Sequence, residues 1–331
     1  FRYNYVTHSS FSHSSLTHLK RTDQICGIWY TALTFFHSYD RRPTIMSKQT
    51  NHYPTDQLLR YTFIDKDVRG ELVQLSTSYQ RMMLGHDYPA PVQRLLGELM
   101  AATSLLTATL KFEGQISLQI HGDGPVNFIT VNGTHQQELR GVARMRDELP
   151  AEAQTLKELL GAKALLVITI TPLVGERYQG VVNAEGDSIA AFLEAYFAQS
   201  EQLHTRLWLD ADGEHAAGMM LQVLPAAGTS AAYFEHLEHL TATITANELF
   251  TLPGVEVLHR LYHEEEVELY PAQPVQFKCG CSRENTLNAL ASVSPAELEE
   301  ILIEDGHITM TCDYCQNVYE FTAEDVATVH R

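Results

Sequence analysis

Apolar positions recur at helical spacing from Val92 to Lys111, where Val92, Leu95, Leu96, Leu99, Ala102, Leu105 and Leu106 share one face and predict an amphipathic core helix. The period then switches to two. Ile116, Leu118 and Ile120 alternate with polar residues over Gln115 to His121, Gly122-Asp123-Gly124-Pro125 supplies turn residues, and Val126 to Val131 predicts the returning strand of a hairpin. That turn is no phosphate loop, because no GxxxxGK[ST] follows and Pro125 removes an amide that an anion would need. Further strands are predicted at Ala164 to Thr171, Tyr178 to Asn183, Leu203 to Asp210 and Met219 to Leu224, with a helix at Ser188 to Ala198. Strands in short-linked pairs beside a few helices predict an α+β core domain over residues 46–225, with mainly antiparallel sheet and packed helices.

The pattern changes after Pro225. Tyr233, Phe234, Leu237, Leu240 and Ile244 form an apolar stripe at helical spacing, while eight glutamates and only two basic residues, Arg260 and Lys278, populate the stretch from Ala226 to Lys278. An acidic, amphipathic, helical linker over residues 226–277 is expected, one that must lean on another surface, and Pro271 and Pro274 interrupt it. His236 and His239 are close enough on a helix to share a metal, but no third ligand is implied and they are expected on a solvated face. His263-Glu264 does not begin an HExxH motif, since position 267 is Val.

Four of the five cysteines fall in the tail. Cys279-Gly280-Cys281 is separated by 30 residues from Cys312-Asp313-Tyr314-Cys315, while Cys26 lies alone near the start. Two thiol pairs brought together by a short ordered segment make a tetrahedral metal site, and four thiolates suit one zinc ion per chain. Between the pairs, Ser294 is a natural N-cap, Pro295 takes the first helical position, Glu297 completes a capping box and Gly306 can end the helix. Strands at Ile308 to Thr311 and Val318 to Phe321 carry the chain into and away from the second pair. A closed four-sulfur site leaves no position for water or substrate, so its role is structural and enzymatic hydrolysis is not expected. The unit over residues 278–331 is small enough that metal binding, worth on the order of 10 kcal/mol, supplies most of its folding free energy. Disulfide formation would consume the ligands two at a time, so the same thiols can also act as a switch.

The whole chain has 331 residues, enough for about two domains, with 44% apolar residues and a formal charge of −18 from 41 acidic and 23 basic side chains. So acidic a surface repels phosphate backbones and anionic lipid, and no stretch approaches the ~20 apolar residues that span a bilayer. Neither nucleic acid nor a membrane is an expected partner. Residues 1–45 differ from the rest: they are Ser- and His-rich, with five basic residues against two acids. Met46-Ser47-Lys48 resembles an ordinary start, and residues 1–45 are read as a mis-called or vector-derived extension rather than a transit peptide.

Taken together, Phe277-Lys278-Cys279-Gly280-Cys281-Ser282-Arg283-Glu284, Gly306-His307-Ile308, Cys312-Asp313-Tyr314-Cys315 and Tyr319-Glu320-Phe321 resemble signatures of the heat shock protein 33 family, the bacterial 33 kDa chaperonins. Upstream, Leu110 to Gly114, Gly122 to Val126, Tyr178 to Val182 and Tyr196 to Gln202 resemble the family as well, so the likeness covers about residues 50–325. The resemblance implies a cytoplasmic holdase chaperone that works without ATP and is inactive when reduced and zinc-bound. It further implies that oxidants pair Cys279 with Cys281 and Cys312 with Cys315, release zinc and unfold the tail. The linker is then destabilised, and apolar surface is exposed to unfolded client proteins, usually in a homodimer. The readings kept beside it are a zinc-ribbon module for regulation or protein interaction without chaperone activity, and a thiol oxidoreductase. Against the latter, the CxxC here follows a strand instead of opening a helix in a βαβ unit.

Overall fold

The computed structural model describes residues 56–110, 112–149, 155–184, 186–224 and 231–329; the expectations for residues 1–45 and for Cys26 lie outside them. Gln57–Phe63 (β1) and Val68–Leu75 (β2) alternate so that Leu59, Tyr61, Phe63 and Leu72 point to one face of a sheet and Leu58 and Val73 to the other. Both faces are buried, which blurs the polar alternation and explains why neither strand was expected from the sequence. Thr77–Met83 (α1) and Ala90–Thr107 (α2) follow. The helix α2 matches the apolar period but stops at Thr107, short of the predicted Lys111.

Gly114–His121 (β3) and Val126–Thr134 (β4) form the predicted hairpin, with Leu118 opposite Val131, and Glu138–Met145 (β5) extends it. After Leu156–Leu160 (α3), Leu165–Pro172 (β6) pairs with β3 and Tyr178–Asn183 (β7) closes that side. Ile189–Tyr196 (α4) is capped by Ser188 and ends in a π-turn over Phe197–Glu201. Thr205–Ala211 (β8) and Ala216–Val223 (β9) then return to the first sheet.

The acidic segment contains three helices, Ala231–Thr241 (α5), Ala246–Thr251 (α6) and Gly254–Tyr262 (α7), and then three short strands, Val267–Leu269 (β10), Gln273–Pro274 (β11) and Gln276–Phe277 (β12). The tail holds Arg283–Ala289 (α8), Pro295–Asp305 (α9), the hairpin of Ile308–Thr311 (β13) with Val318–Phe321 (β14), and Ala323–Val329 (α10). Ser294 accepts a hydrogen bond from the Glu297 amide, and Gly306 terminates α9 at φ 77°, a left-handed position where glycine avoids the Cβ penalty.

Two large sheets result, the first of them wholly antiparallel. One has the order β10-β1-β2-β9-β8 with β11 also on β1; the other runs β12-β5-β4-β3-β6-β7, antiparallel except where β12 joins β5. The α+β expectation therefore holds. Helix α2 lies between the sheets, touching both, so it is buried nearly all round instead of along a single face. Its polar residues are satisfied internally: Thr103 donates to the Leu99 carbonyl at 2.7 Å and Ser104 to Gln137 Oε1 at 2.6 Å.

A second apolar cluster lies on the opposite face of the first sheet. Leu59, Tyr61, Phe63, Val68, Leu72, Met219 and Leu221 pack there against Phe234, Leu237, Leu249, Val257, Leu258, Leu261 and Tyr262 from α5, α6 and α7. Close approach is built in at Gly254, where a Cβ would stand 2.6 Å from Leu59. Gln74 reaches out of β2 to donate to the carbonyls of Leu249 and Leu252, which fixes the end of α6 on the sheet. The tail has a small cluster of its own, Leu290, Leu298, Ile308, Phe321 and Val326.

Candidate metal centre

Each sulfur is placed by a short, locally determined piece of backbone. Pairing of β12 with β5 delivers Cys279, and the Lys278 amide donates to the Leu139 carbonyl as the chain leaves the sheet. Ser282, directly after Cys281, caps α8 by accepting from the Asn285 amide, and Asn285 Nδ2 donates to the Gly280 carbonyl, closing the first knuckle. In the second knuckle the Cys312 amide donates to the Asn317 carbonyl and the Gln316 amide to the Cys312 carbonyl, while Gln316 takes φ 58° to turn the chain into β14.

The four sulfurs converge. Cys279 Sγ lies 3.6 Å from Cys312 Sγ, Cys281 Sγ lies 3.4 Å from Cys315 Sγ, and all four fall within 4.8 Å of one another. Four bonds of about 2.3 Å to a tetrahedral ion give sulfur–sulfur edges of about 3.8 Å, so this cage can hold a metal ion with small adjustments. These separations are far beyond the ~2.05 Å of a disulfide bond, and all four residues are free thiols. No other group of three or more His, Cys, Asp or Glu converges in this way among the described residues. His236 bonds Glu265 at 3.0 Å on an exposed face, in line with the solvated role expected for it.

Electrostatics in the cage are uneven. Burial opposes ionisation of Cys281, but a hydrogen bond donated by the Tyr319 hydroxyl at 3.2 Å, with further ones from the neighbouring thiols, outweighs it and holds this thiol at about 7. Burial pushes Cys279 and Cys315 upward, in each case with a hydrogen bond from a neighbouring sulfur adding to the shift. A cation that replaces the protons relieves the crowding of acidic sulfur, because ligation requires thiolate.

The knuckles also touch the core. The Tyr314 ring sits under the Arg140 guanidinium at 4.7 Å and its hydroxyl accepts from Asn132 Nδ2 at 3.3 Å. Arg144 pairs with Asp313, Gln316 meets His86 at 3.4 Å, and Lys278 pairs with Glu138 at 2.5 Å. Sequence reading found all four cysteines but not these partners, which stand 140 to 230 residues upstream and carry no local pattern. Tyr319 was within a quoted motif, yet its bond to Cys281 was not foreseen.

The architecture has counterparts in known proteins. A family profile described as Hsp33 protein matches residues 56–322. The chain belongs to the Hsp33 family. Among its relatives, the 33 kDa chaperonin of Shewanella sediminis is 56% identical over 274 residues, covering 83% of this chain and 95% of that protein. The 33 kDa chaperonin of Pectobacterium atrosepticum is 53% identical over 279 residues, with 83% and 96% covered. In three dimensions the Hsp33 fold is matched by the crystal structure of the 33 kDa chaperonin from Thermotoga maritima, with a TM-score of 0.71 at 24% identity over 83% of this chain and 98% of that one. No helix among the described residues is long and apolar enough to cross a membrane.

Proposed function

We propose that this chain is a redox-regulated holdase chaperone that needs no nucleotide, acts in the cytoplasm, and is held inactive by one zinc ion on Cys279, Cys281, Cys312 and Cys315. The observation that carries this reading is the convergence of four free sulfurs within 4.8 Å at the point where the tail meets the core. Family membership supports the chaperone role, and relatives carrying the name 33 kDa chaperonin support its biological setting. Zinc, when bound, supplies cross-linking and most of the folding free energy of a unit whose own apolar cluster has only five buried members among the described residues.

The proposed organisation is a core over residues 46–225, a linker over 226–277 and a switch unit over 278–331. Oxidation pairs Cys279 with Cys281 and Cys312 with Cys315: each pair of thiolates gives two electrons to an oxidant such as a peroxide, which leaves as two hydroxides or water. The ligand set is then gone. Loss of the knuckles removes Tyr314 and Asp313 from Arg140 and Arg144, and β12 loses the anchor on its C-terminal side. The linker helices are next in line, since β10, β11 and β12 fasten them to the sheets.

Release of α5 to α7 uncovers Leu59, Tyr61, Phe63, Val68, Leu72, Met219 and Leu221, a contiguous apolar face suited to unfolded client chains. The excess of acid on the linker keeps the opened protein soluble, and a homodimer of opened chains would double the surface. The test is light scattering from a heat-unfolding client. Peroxide-treated protein is expected to suppress aggregation and reduced, zinc-loaded protein to leave it unchanged; equal performance of the two forms would overturn regulation by these thiols.

A further inference from the structure

Beside the thiol cage lies a cleft of about 380 Å³ lined by Arg81, Leu84, Phe277, Lys278, Asn317 and three of the four cysteines, Cys279, Cys281 and Cys315. Cys312 is absent from its walls. The cleft is therefore a directional approach to the sulfurs, and its walls are chemically specific. Arg81, in the last turn of α1, is exposed and has no ion-pair partner among the described residues. Lys278 adds a second cation at the rim, though it is shared with Glu138. Phe277 and Leu84, the latter 73% exposed, give the recess an apolar wall. Cation, apolar wall and thiols in one recess, on a protein of formal charge −18, concentrate an anion where the rest of the surface repels it.

We propose that this cleft is a docking site for anionic low-molecular-weight disulfides, with Arg81 as the residue that selects for negative charge. The inference rests on the redox reading of the cage and names a reagent class for it. The chemistry is thiol–disulfide exchange: a cleft-lining thiolate attacks one sulfur of R–S–S–R, that bond breaks, and R–S⁻ leaves with the electron pair. A second protein thiolate then attacks the cysteine sulfur of the mixed disulfide and releases the second R–S⁻. Two protein thiolates are oxidised by two electrons in total, and both reagent sulfurs are reduced. Arg81 touches neither bond. It holds the carboxylate of the reagent, so it is a positioning residue.

The experiment compares two aromatic disulfides on the full-length, metal-loaded protein: dithiobis(nitrobenzoate), which is dianionic, and dithiodipyridine, which is neutral. Rates are followed by stopped-flow absorbance, and the neutral reagent corrects for any general change in thiol exposure. Arg81→Glu is expected to lower the anionic-to-neutral rate ratio by about fivefold or more at low salt, Arg81→Lys to restore most of it, and added salt to erase the difference. Mapping after one equivalent of reagent is expected to find label on Cys279, Cys281 or Cys315 before Cys312. An unchanged ratio in Arg81→Glu, or first label on Cys312, would overturn the docking site. Client light scattering on fully oxidised samples separates the two levels: loss of the ratio effect with retained holdase activity overturns only this site, whereas a ratio effect without holdase activity supports it and overturns the functional reading.

Discussion

At the scale of single residues, each cage cysteine is indispensable because three sulfurs cannot close a tetrahedron. Cys312→Ser is expected to lose tight zinc retention and to leave residues 278–329 without amide protection in reducing buffer, as read by hydrogen exchange; native-like protection in that variant would contradict metal-dependent folding. A different residue reports on the core. Glu98, on α2, is raised to about 7 by burial and by the nearby Asp210 carboxylate, with Arg94 opposing. A carboxyl whose folded pKa is raised favours the fold below its unfolded value near 4.5 and loses that advantage as pH climbs through 7. Glu98→Gln should therefore leave stability unchanged at pH 4 and increase it by about 2 kcal/mol at pH 8, measured by urea denaturation. Equal effects at both pH values would remove the charge explanation.

At the scale of elements, what the sequence revealed depended on whether the signal was local. Helix α9 was legible from Ser294, Pro295 and Gly306 because caps are chemistry within a few residues, and the hairpin of β3 with β4 was legible because one face alternates around a turn. Strands β1, β2 and β5 were not legible: with both faces of β1 and β2 buried, or with a polar face occupied by the knuckles as at Arg140 and Arg144, the period of two is lost. The cage itself was fully legible as CxC and CxxC. Its docking partners were not, since a cation over a ring between β5 and a distant knuckle leaves no trace in spacing. These contacts are testable as a unit. Tyr314→Ala with Arg144→Glu should keep the bound metal while raising protease cleavage between β11 and α8 by about tenfold, each exposed contact contributing no more than about 1 kcal/mol. Loss of metal in that double variant would place the contacts inside the cage's own folding and not at its attachment.

At the scale of the whole molecule, three apolar clusters are arranged in series: a core between two sheets, a sheet face covered by the linker helices, and a small tail cluster beside the sulfurs. The first is large, the third is small, and the helices that cover the second lie between the core strands and the tail in sequence, strapped down by strands that adjoin the tail. On the proposed reading, such an ordering would let oxidation at the four sulfurs alter the covering of an extensive apolar face without disturbing the core. The most direct measurement is zinc content and free-thiol count on one sample of the full chain, before and after peroxide. The account predicts one zinc with the four cage thiols before treatment, and neither zinc nor those thiols afterwards; a tail that is metal-free yet compact in reducing buffer would contradict it.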